Sequence, residues 1–167
     1  MIKRYIGLLL FILCVLMPCL ANAEELKNDT FGVTVTLPEG WTEHTGTKDA
    51  KTVFVIGDPT TENRIELLAT KVLRPEHAVA LFEAFAEQME TNGFTVAVPE
   101  KETTFGSYTG KLTEYDYLTS DVPLRVMNFI LIQGELAYIA VAYATRAERD
   151  DVSKQLEKFV ASLQIAK

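Results

Sequence analysis

The sequence predicts an α+β fold in which two main helices flank a central, mainly antiparallel sheet of about six to seven strands. Three observations carry this expectation. Short runs rich in Val, Ile, Thr and aromatics recur between turn residues. Two segments change to the three-and-four spacing of an amphipathic helix. One run, Val122 to Ile132, is apolar on both of its alternating faces, so that strand is covered from both sides.

The chain opens on an export pattern. Lys3 and Arg4 precede an almost unbroken apolar run from Ile6 to Leu16, Pro18 breaks it, and Ala21-Asn22-Ala23 supplies the small residues of a signal-peptidase site. The apolar stretch from Tyr5 to Met17 is 13 residues long, short of the roughly 20 a membrane-spanning helix needs. Cleavage after Ala23 is therefore expected, with a periplasmic or secreted mature protein and no stable membrane insertion afterwards. A lipid anchor at Cys19 is the alternative. It is disfavoured by Leu16-Met17-Pro18, which places Pro where a small residue belongs.

This divides the chain into a signal, 1–23, and one domain, 24–167. Both cysteines, Cys14 and Cys19, leave with the signal, so the mature chain has none for disulfides, thiolate ligands or a nucleophile. Its 144 residues suit a single core burying roughly 68% of the unfolded surface. Loss of Lys3 and Arg4 shifts the net charge from −7 to −9, with 14 basic against 23 acidic side chains. Nucleic-acid binding is not expected, because the basic residues are dispersed among carboxylates.

Phe31 to Leu37 alternates and ends at Pro38-Glu39-Gly40, the pattern of a half-buried strand. Thr52 to Ile56 and Arg64 to Leu73 are further strands, separated by Gly57-Asp58-Pro59 and a polar loop. Pro75 then opens a helix with Ala78, Leu81, Phe82, Phe85 and Met89 on one face, closed by Asn92-Gly93. Glu76, Glu83, Glu87 and Glu90 occupy its other face, read as solvated; a cation or basic-partner site is the lesser alternative. Phe94 to Val98 resumes the strand pattern. Tyr108 to Leu118, Val122 to Ile132 and Leu136 to Ala144 then form a meander through Ser120-Asp121 and Gln133-Gly134. Thr145-Arg146-Ala147-Glu148 has capping-box spacing before a last helix with Val152, Leu156, Phe159, Val160 and Leu163 on one stripe.

The opening strand with Leu37-Pro38-Glu39-Gly40-Trp41, the order strands–helix–meander–helix, and the closing Phe159-Val160-Ala161-Ser162-Leu163 resemble the PsbP-like superfamily of exported domains, PsbP and DcrB-like proteins among them. The resemblance spans about Leu26 to Leu163. It implies an α/β/α sandwich around an antiparallel sheet, acting as a binding or accessory module. It transfers no site residue.

No catalytic, cofactor or metal constellation stands out. His44 and His77 are the only histidines, none of the four serines sits in a G-x-S-x-G elbow, and no zinc-ligand spacing occurs. Gly106 and Gly110 fall within a strand pattern and read as a bulge or a close backbone contact. The neighbouring carboxylates Glu100 with Glu102, Glu114 with Asp116, and Asp150 with Asp151 read as solvated. Asn28-Asp29-Thr30 matches the N-glycosylation pattern, a frequent chance occurrence. A ligand or partner surface is sought at Trp41, Tyr115, Tyr117 and Arg125, although packing in core and sheet is the simpler account of the aromatics. The expected function is an exported, non-catalytic module of the envelope engaging a protein partner, with no cofactor. A carrier with a small-ligand pocket between sheet and helix is the alternative.

Overall fold

The computed structural model describes residues 24–44, 50–72, 74, 76–118 and 123–166. The expected export signal and the Ser120-Asp121 turn lie outside them. Among the described residues the chain forms β1 (Glu25–Asn28), β2 (Val33–Thr36), β3 (Thr42–Glu43), β4 (Thr52–Gly57), β5 (Arg64–Lys71) and α1 (Glu76–Thr91). There follow β6 (Phe94–Phe105), β7 (Tyr108–Tyr117), β8 (Leu124–Gln133), β9 (Leu136–Thr145), α2 (Arg149–Ala161) and β10 (Gln164–Ile165). None of the described helices is long and apolar enough to cross a membrane.

The large sheet is antiparallel throughout, in the order β3-β4-β5-β9-β8-β7-β6. Tight turns join β6 to β7 and β8 to β9, but β5 and β6 are separated by three strands. α1 is the connection between them. Its 16 residues extend about 24 Å, enough to pass over four inter-strand spacings of about 4.8 Å. The topology thus lays α1 across one face of the sheet.

The opposite face carries the larger apolar cluster, in which Met127, Phe129, Leu131, Ala140 and Ala142 of the sheet join Val152, Leu156, Phe159 and Val160 of α2. Phe105 and Phe129 stack there with ring centres 4.8 Å apart. α1 covers a smaller cluster of Tyr115, Val126, Ile130, Ile139 and Val141. The two helices differ in their hold. α2 buries four side chains, whereas Met89 is the one buried side chain described in α1.

A second sheet was not expected. β1, β2 and β10 form a three-stranded sheet of their own. β2 alternates as predicted, with Val33 and Val35 buried in the α2-side core, but alternation does not specify a partner. Both edges of β2 are taken by chain segments too short to stand out as strands. The Ser162 hydroxyl, just past α2, fastens this sheet by accepting from Thr36 N at 3.1 Å.

β6 also runs beyond the expected Val98. It is an edge strand, so Pro99, which lacks an N–H, is tolerated, and the pairing with β7 shifts register between Val98 and Lys101. Gly106 lies in the β6–β7 turn with a positive φ of 59°. Gly110 has another reason to be glycine, because a Cβ there would lie 2.4 Å from Ile130 O and 2.8 Å from Phe129 Cζ. Gly110→Ala should lower stability by about 3 kcal/mol in urea unfolding. Gly134→Ala, which meets no atom within 4 Å, should cost only about 1 kcal/mol for its positive φ.

Candidate functional site

Leu112, Glu114 and Asp116 of β7 share the sheet face toward α2, because alternate strand residues point the same way. Glu114 is only 1% exposed. Register places Asp116 opposite Arg125. Arg125 Nε donates to Asp116 Oδ1 at 2.8 Å and its Nη1 to Glu114 Oε2 at 2.9 Å. Arg149, the first residue of α2, donates Nε to Glu114 Oε2 at 3.0 Å and Nη2 to Glu114 Oε1. Arg146 Nη2 donates to Asp116 Oδ2 at 2.5 Å.

The solvated reading of Glu114 and Asp116 is therefore wrong. Their strand lies inside the sheet, and arginines take the place of water. Burial alone would raise the Glu114 carboxyl, but hydrogen bonds from Arg149 and Arg125 outweigh it and hold the group below the ordinary range. The Arg146 hydrogen bond leads the same effect at Asp116, against burial and with help from Arg125. A general acid or base needs a pKa near the working pH, and these groups are held the other way. They clamp the start of α2 to the sheet.

The α1 face is different. A cleft of about 270 Å³ lies between α1 and strands β6 to β8, with Phe82 and Phe85 on the helix side and Asn128 and Ile130 on the sheet side. Lys111 and Glu100 also line it and pair at 2.5 Å, and Lys111 Nζ lies 4.6 Å from the centre of the Phe82 ring. Asn128 is 1% exposed, yet among the described residues neither its Nδ2 nor its Oδ1 meets a hydrogen-bond partner. Tyr115, on the same side, is kept a neutral phenol by burial and by nearby Glu90 and Glu100. A second hollow of about 180 Å³ lies between α1 and Leu68 and Ile139 of the sheet, and Phe85 lines both. A larger one, about 320 Å³ beside His44, Arg64 and Glu66, has its arginine occupied: Arg64 bonds Glu66 at 2.9 Å and stacks on Tyr143 at 4.0 Å.

Of the four residues sought as a surface, the structure brings only Tyr115 to the cleft. Tyr117 shares its face but stacks on Phe94, ring centres 4.7 Å apart. Arg125 points to the other face, into the carboxylate clamp. Trp41 is buried in the α2-side core. Glu83, Glu87, Glu90 and His77 are exposed on α1, and His44, just past β3, is exposed as well. Asn128 was missed, although one amide inside Val126-Met127-Asn128-Phe129-Ile130 is a visible signal. So was Glu114-x-Asp116, whose i, i+2 spacing in a strand puts both carboxylates on one face.

No protein-family model matches the sequence, and no curated protein is similar to it in sequence. Solved structures share the fold. Cyanobacterial PsbP from Synechocystis superposes with TM-score 0.63 at 10% identity, over 91% of this chain and 99% of that one. LpqN, involved in cell envelope biogenesis of Mycobacterium tuberculosis, gives 0.56 at 13% identity over 89% and 88%. The Ran-binding protein Mog1p of Saccharomyces cerevisiae gives 0.58 at 10% identity over 86% and 95%. Against a Bacteroides thetaiotaomicron protein, at TM-score 0.64 and 13% identity, 87% of this chain matches about half, 49%, of that one. The fold is thus PsbP-like, an α+β sandwich, as its element order implied.

The clamp makes stability depend on pH with a definite sign. Both carboxyls have folded values below their unfolded ones, so their contribution is present at neutral pH and is lost as pH falls below about 4. Arg149→Met should cost about 3 kcal/mol at neutral pH. In urea unfolding the deficit should shrink towards pH 3; a deficit independent of pH would contradict the clamp.

Proposed function

We propose that the chain is an exported, non-catalytic binding module of the cell envelope, a single domain from Glu24 onward, whose exposed apolar rim around the cleft under α1 engages a protein partner. The observation that carries this is the apolar rim of the cleft. Val96 lines it from β6 and is 48% exposed. Val79, 56% exposed, lies on the Phe82 and Ala86 side of α1 by the three-and-four spacing of a helix. Large apolar side chains left open on the sheet wall and on the neighbouring turn of α1 suit a partner that covers them.

Other observations support the reading. Glu24 O accepts from Leu37 N at 2.8 Å, so a chain cut after Ala23 would keep its first residue bonded to the domain. The buried carboxylates serve arginines in place of a substrate. Among proteins of this fold, Mog1p binds Ran and LpqN belongs to envelope biogenesis. A second reading, a small-ligand carrier, is favoured by Asn128 alone.

The test is a photo-crosslinking residue placed at Val96 of the full chain in its native host, with Glu157 on the outer face of α2 as control. Position 96 should give one discrete adduct and position 157 none; adducts at neither position, or equally at both, would overturn the partner reading. The intact mass of the same material should correspond to a chain starting at Glu24. A chain retaining Met1, or lipidated at Cys19, would contradict cleaved export.

A further inference from the structure

We propose that the cleft beneath α1 binds a small neutral molecule with an apolar body and an amide edge, and that Asn128 reads that edge. The inference rests on the carrier reading and names its ligand class. Asn128 stands at the centre of β8, opposite Thr113 and Val141, on the face shared with Val126 and Ile130. A buried amide with neither atom paired costs stability, and a leucine of similar size would avoid that cost. Polar side chains inside proteins are almost always partnered. Here none of the described residues supplies a partner, although the amide borders the cleft.

The chemistry of the cleft narrows the ligand. A side-chain amide presents a carbonyl acceptor beside an N–H donor, and rotating it by half a turn exchanges the two. The matching group is another amide edge, in either sense. Lys111 and Glu100 neutralise each other, so no unpaired charge awaits an ionised ligand. Phe82, Phe85 and Ile130 suit an apolar or aromatic body. Asn128 is closed from solvent, so a ligand reaches it as α1 gives way, and of the described α1 side chains only Met89 is buried.

The test uses isotope-labelled protein titrated with benzamide, methyl benzoate and ethylbenzene, followed by NMR at the backbone amides of Thr113, Asn128 and Ile130. Benzamide should bind roughly tenfold more tightly than ethylbenzene, with the acceptor-only ester between them. Asn128→Leu should abolish that preference and raise the melting temperature of the free protein. Equal binding of benzamide and ethylbenzene, unchanged by Asn128→Leu, would overturn amide recognition and leave the carrier reading standing. If no probe perturbs these residues, the carrier reading falls as well. Should the variant fail to fold, the ranking of the three probes on the unaltered protein decides.

Discussion

Val126, Ile130, Ile139 and Val141 point to one side of the large sheet, and Met127, Phe129, Leu131, Ala140 and Ala142 to the other. β8 and β9 therefore have almost no solvent face. Each large apolar side chain removed from water contributes about 1.5–3 kcal/mol, and that gain is available only while both faces stay covered. The remaining elements serve as the two covers. α2 and the small sheet form one, and α1, spanning from β5 to β6, forms the other.

The covers are held by different physics. On the α2 side, four buried helix residues are joined by an ionic clamp that fixes Arg149 to a carboxylate inside the sheet. Breaking one member leaves an uncompensated buried charge, which makes that side costly to open. On the α1 side, Phe85 stands between two hollows and Met89 is the one described side chain of α1 that is buried. Elements with few buried apolar contacts open at low cost. A protein that must admit something has its access there, and the unpartnered Asn128 lies beneath it.

The strands, both helices and the PsbP-like order were legible because each rests on local periodicity. Val33 and Val35 alternate, Phe82, Phe85 and Met89 recur at helical spacing, and β8 is apolar on both faces. What escaped depends on pairing across the chain. β1 and β10 are strands only because β2 lies between them. The thirteen-residue α2 begins one residue after Glu148; the capping-box bond, Glu148 N to Thr145 Oγ1 at 3.3 Å, closes the turn before it. Glu114 and Asp116 read as surface carboxylates until Arg125, Arg146 and Arg149 are brought onto them from three later places in the sequence. Tyr115, Tyr117 and Arg125 were read as one floor. Register sets Arg125 opposite Asp116, on the far side of the sheet from both tyrosines.

The central claim is that α1 is the yielding cover and α2 the fixed one. Native-state hydrogen exchange across the two helices tests it most directly. Amides from Ala84 to Met89 in the second half of α1 should exchange through openings well below the global unfolding free energy, while those of Leu156 to Val160 should exchange only near it. Equal protection of the two helices would contradict the account.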